Sequence, residues 1–274
     1  MPEGPEIRRA ADAIEKALKG HVIEDVDLNH ASLTGKRRQI AGHTVLSVEC
    51  RGKALLTHFS SGKSLYSHNQ LYGKWRVVSR GRLPSTKRAL RLALHTDKHS
   101  ALLYSATDIS LWETCRLDQH PFLSRLGPDL LAADTTKESI LQRLQSPDFR
   151  NRQLASLYLD QRFVAGIGNY LRSEILFFAG VHPLTKPRDL NEKAQAKLAR
   201  NTTAIGQRSY RTGGITLPPS IRPEKSAPGK RAYERDRFAV FARASKACRI
   251  CRTPVQKSVI TSRRIYWCPT CQRN

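Results

Sequence analysis

The sequence predicts an α+β protein: a helix and a β-sandwich or barrel, then a helical region, then a small cysteine-bearing module. Three observations carry this. One amphipathic stretch is followed by six short β-like runs, the periodicity turns helical beyond Arg125, and two Cys-x2-Cys pairs close the chain.

Residues 3–19 form the leading helix, with Ile7, Ala10, Ala11, Ile14, Ala17 and Leu18 at helical spacing and Gly20 as its stop. Runs at 44–49, 54–59, 64–67, 74–78, 89–95 and 101–105 alternate with Ser, Gly, Asn and Arg turns and read as strands. Residues 125–129 (RLGPD) make a turn, and helical patterns follow at 137–144, 153–159, 169–179 and 191–209. The Gly-, Pro- and Ser-rich stretch 212–230 reads as a mobile connection. The expected divisions are 1–124, 125–215, a linker at 216–237, and 238–274.

Charge narrows the partner. Forty-seven Lys and Arg against 23 Asp and Glu give +24, and residues 208–274 alone hold sixteen basic and three acidic residues. Such clustering suits a polyanion, because each neutralised phosphate releases condensed counterions. No apolar run is long enough to span a bilayer, and no basic-then-apolar leader is present. A reducing cytoplasm is therefore the expected setting.

Cys248-x2-Cys251 and Cys268-x2-Cys271 lie sixteen residues apart, the pattern of a tetrahedral Zn2+ site. With four protein ligands the single zinc is expected to be structural. The competing readings are a redox pair or two disulfides. Between the pairs, residues 261–267 (TSRRIYW) read as a hairpin with Arg263 and Arg264 near its tip. Cys50 and Cys115 match no motif and are expected to be partly buried.

The N-terminus Met1-Pro2-Glu3-Gly4-Pro5-Glu6 offers an unusual group. Removal of Met1 leaves Pro2 as a secondary amine, which can attack an aldehyde-level carbon and form an iminium ion. Glu3 and Glu6 stand beside it as proton donors or acceptors. Helix capping would use the same residues, since proline and acidic side chains both favour a first turn.

Taken with Arg51-Gly52-Lys53, Gly166-Ile167-Gly168-Asn169-Tyr170 and the cysteine module with Ser262-Arg263, this segment resembles the formamidopyrimidine-DNA glycosylase/endonuclease VIII family. Residues 51–59, 66–73 and 266–268 resemble its bacterial endonuclease VIII branch. The resemblance runs along nearly the whole chain. It implies an N-terminal β-sandwich, a helix–two-turn–helix domain and a zinc-finger hairpin, with DNA in the cleft between the halves. It also implies a nucleoid-associated bacterial enzyme, monomeric, acting on double-stranded DNA that carries damaged bases or abasic sites.

Residue by residue, the resemblance implies Pro2 as nucleophile, Glu3 as the acid that opens the sugar ring, and Glu6 in support. Lys53 is the catalytic lysine, Asn169 binds phosphate, and Arg263 grips phosphates and assists the second elimination. Arg125 is a further DNA contact. Gln70, Leu71 and Tyr72 fill the gap left by a flipped base, unless they form an ordinary strand-end turn with Leu and Tyr buried.

Two departures bear on specificity: Arg264, where relatives often have a small residue or proline, and a longer connection at 211–237. Oxidised pyrimidines are the expected substrates, with 8-oxoguanine and formamidopyrimidines as the alternative. A non-catalytic nucleic-acid-binding zinc protein is the rival from another class.

Overall fold

A computed structural model describes residues 2–222, 233–234 and 236–273. Met1, whose removal the sequence reading requires, lies outside them, as do residues 223–232 and 235 of the expected linker. The chain divides into two compact units, Met1–Arg125 and Leu126–Asn274.

In the first unit, helix α1 (Gly4–Leu18) buries Ile7, Ala11, Ile14 and Leu18. It ends before Gly20, whose φ of 80° only glycine adopts without strain. Eight strands follow: β1 (Asp25–Leu28), β2 (Val45–Arg51), β3 (Ala54–Phe59), β4 (Lys63–His68), β5 (Lys74–Ser79), β6 (Leu90–His95), β7 (His99–Tyr104) and β8 (Asp108–Glu113). They form two four-stranded antiparallel sheets, ordered β1-β6-β7-β5 and β2-β3-β4-β8.

One core joins the sheets. Val48, Leu55, Phe59 and Leu65 from one share it with Val26, Leu92, Leu94 and Leu103 from the other and with Ile7 and Ile14 of α1. Each such side chain contributes about 1.5–3 kcal/mol by leaving water. The expected sandwich is present. Strands β1 and β8 escape the sequence reading because they are short and carry Asp, a residue type depleted in strands. In β1, Asp25 is held by the Arg37 guanidinium at 2.5 Å and the Val26 N–H at 2.7 Å, contacts that draw its pKa down.

The second unit holds α2 (Lys137–Gln145), α3 (Leu154–Leu157), α4 (Asn169–Ala179), α5 (Glu192–Arg211) and the hairpin β9 (Gln256–Ile260)–β10 (Arg263–Trp267). Thr136 and Asn191 cap α2 and α5 by accepting the N–H groups of Ser139 and Ala194. Helix α4 is buried almost throughout and packs against both α5 and β10.

Two expectations change. The stretch read as a mobile connection is partly core: Thr216 and Leu217 are fully buried, because α4 carries a buried carboxylate that binds this segment. Cys115 is exposed on the 3-10 turn after β8 rather than partly buried, while Cys50 is half-buried as expected. Among the described residues no helix is long and apolar enough to cross a membrane.

Candidate active site

Pro2 is half-exposed and precedes Glu3, the residue that caps α1 with extended backbone at φ −113° and ψ −177°. The Glu3 N–H donates to Glu6 Oε2 at 3.0 Å, and the Glu3 carbonyl accepts from the N–H groups of Glu6 and Ile7. Glu6 also lies 3.8 Å from Arg9 Nη2. Capping chemistry is thus real here, and Glu3 and Glu6 share it as a reciprocal capping box. The side chain of Glu3 is only 2% exposed. A carboxyl next to a nucleophile can protonate a departing or ring oxygen.

Lys53 sits on the two-residue turn joining β2 to β3, where Arg51 pairs with Ala54. Gly52 takes φ +63°, the conformation a two-residue hairpin with glycine first requires. Lys53 is 8% exposed, so it is not an ordinary surface lysine.

At the end of β4 the chain turns through residues 69–73 into β5. Leu71 and Tyr72 are 57% and 66% exposed, which excludes a turn that buries them. Gly73 is obligatory: a Cβ there would stand 2.6 Å from the Asn69 backbone. Beneath lies a polar aromatic cluster. The Tyr66 hydroxyl donates to Asp108 Oδ2 at 3.2 Å, and its ring stacks on His120 at 4.1 Å. Burial, with Asp108 adding to it, raises the Tyr66 pKa far above the usual phenol range. Burial also lowers the pKa values of His68 and His120. Arg125 is exposed at the end of a 3-10 turn.

In the second unit, Asn169 is the first residue of α4, and Gly168, not Asn169, is the cap. Gly166 at φ +95° turns the preceding loop. Arg172, fully buried, donates to Asn169 Oδ1 at 2.6 Å, to the Ala155 carbonyl at 2.7 Å and to the Arg264 carbonyl at 3.0 Å. A guanidinium has no acceptor, so the Asn169 oxygen must face it and the NH2 group is directed elsewhere. The same guanidinium fixes the strand that begins at Arg263. Arg263 is exposed and follows a two-residue turn in which Thr261 and Ser262 take φ 48° and 61°. That turn is of the primed type favoured by hairpins.

Glu174 is a second buried charge on α4. It accepts from Thr216 Oγ1 at 2.5 Å and from the N–H groups of Ala239, Val240 and Phe241 at 2.8–2.9 Å. These bonds tie both flanks of the undescribed segment to the helix. Truncation in Glu174→Ala leaves buried donors without an acceptor, each costing about 1–3 kcal/mol. The expected loss is on the order of 3 kcal/mol or more, read from denaturant unfolding of the second unit. An unchanged midpoint contradicts this anchoring role.

Sequence reading did not single out Arg172 or Glu174. The signal was available: Arg, Ser and Glu at 172–174 interrupt an apolar helix, and three successive positions cannot all face solvent.

The four cysteine Sγ atoms lie within 4.8 Å of one another, with Cys248 and Cys268 buried. The Cys248–Cys271 and Cys251–Cys268 separations are 3.9 and 3.3 Å. Tetrahedral Zn–S bonds near 2.3 Å imply edges of about 3.8 Å, so the thiols fit such an ion. Gln272, fully buried, accepts from Cys268 N–H and donates to the Val181 carbonyl, both at 2.9 Å.

A model of the formamidopyrimidine-DNA glycosylase N-terminal domain matches residues 1–108, and one of that family's H2TH domain matches residues 126–219. Curated relatives include Endonuclease 8 of Salmonella enteritidis, 48% identical over 273 residues and the full length of both chains. The Salmonella schwarzengrund enzyme of that name is 47% identical with the same coverage. Among solved structures, Lactococcus lactis Fpg bound to N7-benzyl-Fapy-dG DNA shares 22% identity at TM-score 0.81, covering all of both chains. The same protein bound to DNA with an AP site matches at 21% and 0.80, covering 99% of this chain and 100% of the other. A further complex of it contains an oxidized pyrimidine and matches at 22% and 0.81, covering all of both chains.

Proposed function

Because the chain belongs to the formamidopyrimidine-DNA glycosylase/endonuclease VIII family, we propose that it excises oxidised pyrimidines from double-stranded DNA and then cleaves the abasic strand, with Pro2 as nucleophile. The observation that carries this reading is the head of α1, where buried Glu3 directly follows Pro2, the residue able to supply a secondary amine.

The chemistry follows from the groups present. The Pro2 nitrogen bonds to C1′ and the base departs with the glycosidic electron pair. Glu3 protonates O4′, the C1′–O4′ bond opens, and an iminium ion remains. Loss of a C2′ proton expels the 3′ phosphate, and loss of the C4′ proton expels the 5′ phosphate. Hydrolysis then frees Pro2 and leaves a gap with phosphates at both ends. Lys53 positions the lesion strand and donates a proton. Asn169 offers its NH2 group to a backbone phosphate, and Arg263 offers its donor fork to another. Arg125 adds a peripheral phosphate contact. The residues of the 70–72 loop enter the stack as the base leaves, recovering part of an unstacking cost of a few kcal/mol. The four cysteines hold one structural Zn2+. In a bacterial cell such an enzyme works in the cytoplasm on the nucleoid.

The pyrimidine preference rests on residues 66–73, which resemble the endonuclease VIII branch. Excision from duplexes containing thymine glycol, dihydrouracil, 8-oxoguanine or formamidopyrimidine tests it. Faster single-turnover release of the purine lesions overturns the preference but leaves the chemistry standing.

The role of Glu3 separates the two reactions. At an intact nucleoside the ring must be opened, whereas an abasic site already equilibrates with its open aldehyde. Glu3→Gln is therefore expected to slow base excision by about 10²–10⁴-fold and to leave cleavage of a preformed abasic site much less affected. Equal losses on both substrates exclude the ring-opening role.

A further inference from the structure

The loop that carries Leu71 and Tyr72 does not hang free. The Gln70 N–H donates to His68 Nδ1 at 3.1 Å, and the Gly73 N–H to the Asn69 carbonyl at 2.7 Å. Thr107 Oγ1 donates to Gln70 Oε1 at 2.8 Å, and Arg88 Nη1 donates to the Tyr72 carbonyl. Gln70 itself takes φ 46°, a left-handed conformation that a non-glycine residue holds only where its surroundings fix it.

We infer that His68 is a positioning residue for base extrusion: its unprotonated Nδ1 holds the Gln70 backbone so that Leu71 and Tyr72 stand ready as the wedge. This rests on the wedge role assigned above to residues 70–72.

The chemistry of the contact fixes the state of the ring. A backbone N–H only donates, so Nδ1 must carry a lone pair and the proton must lie on Nε2. The surroundings favour this neutral form. Burial lowers the imidazole pKa, Asp108 on β8 opposes that, and Lys53 on the β2–β3 turn adds to it. Tyr66 of the same strand and His120 are further titratable groups of this cluster, and the His68 ring packs edge-on against Phe122 at 5.2 Å. The base-intercalating loop thus leans on a side chain within the field of Lys53. An ordered loop enters the duplex without first losing backbone freedom.

The test compares single-turnover excision of one lesion in a paired duplex and in a single strand, where no base need be extruded from a stack. His68→Phe keeps a ring against Phe122 and removes the acceptor. His68→Asn removes the ring and places an amide oxygen near the position of Nδ1. The duplex-to-single-strand rate ratio is expected to fall about tenfold in His68→Phe and to return to within about twofold of wild type in His68→Asn. The double variant Leu71→Ala/Tyr72→Ala is expected to lower the ratio at least as far. If the double variant lowers the ratio and His68→Phe does not, the wedge stands and the positioning role falls. If the double variant leaves the ratio unchanged, the wedge reading itself fails. Equal losses on both substrates in His68→Phe and His68→Asn make His68 a packing residue, which also overturns the inference.

Discussion

Borohydride reduction in the presence of abasic or lesion-bearing duplex is expected to trap wild-type protein on DNA, and blocking the N-terminal amine is expected to abolish the adduct. The argument is one of functional groups. Only an unprotonated amine condenses with C1′ to give a reducible iminium, and once Met1 is removed Pro2 would place a secondary amine directly before buried Glu3. Pro2→Gly supplies a primary amine on a more flexible backbone, because the ring that fixes φ is gone. Trapping by Pro2→Gly is expected to fall roughly a hundredfold or more, since a displaced nucleophile loses most of its effective concentration. Intact-mass measurement must first show that Met1 is absent from wild type. Retention of Met1, or a Pro2→Gly protein that traps as well as wild type, removes Pro2 from the reaction. Lys53 would then be the amine to examine, and Lys53→Met trapping would show whether it forms the adduct.

The parts of the molecule most legible in the sequence are those where local chemistry and long-range structure coincide. The helix after Pro2, the Gly52-Lys53 turn, the helix beginning at Asn169 and the four cysteines each carry a local pattern that the fold retains. Strands β1 and β8 were hidden although they alternate polar and apolar residues, because they are short and carry Asp25, Asp27 and Asp108, a residue type depleted in strands. Their pairing is paid for by partners distant in sequence, Arg37 for Asp25 and Tyr66 for Asp108.

The supporting residues were hidden for a related reason. The polar run at 172–174 marks an interruption in an apolar helix, but nothing local names the partners of Arg172, which are Ala155, Asn169 and Arg264. His68 looks like any strand-end histidine until the turn folds Gln70 back onto its ring. Conversely, the Gly-rich run near 213 reads as a linker only because the acceptor for Thr216, Glu174, lies more than forty residues earlier. Contacts of this kind belong to tertiary structure, and composition carries no trace of them.

The second large effect concerns the metal. Removal of Zn2+ by a chelator is expected to abolish DNA cleavage and to lower binding, with both restored by added Zn2+. The module has a small core of its own: Val255, Tyr266, Cys248 and Cys268 pack with Phe177, Leu217 and Val240. Two of those residues, Cys248 and Cys268, are proposed ligands, so the metal and the core are expected to stand or fall together. Apparent zinc binding of about 10–16 kcal/mol at neutral pH is comparable to the whole stability of a domain. The contacts of Arg172 and Ser173 to the hairpin, and of Gln272 in the module to the Val181 carbonyl, are hydrogen bonds, each worth about 1 kcal/mol net. They can orient a folded hairpin but cannot replace its metal. The consequence reaches Arg263, because its place depends on a Thr261-Ser262 turn that the closed module supports. Cys251→Ser should reproduce the chelated state, with metal content by mass spectrometry well below one ion per chain. Arg263→Ala should not: it keeps the zinc and the fold but slows the second elimination, so product accumulates with an unsaturated aldehyde at the 3′ end. Full cleavage by metal-free protein would exclude a structural metal. Normal product ends from Arg263→Ala would instead place the second elimination on another residue.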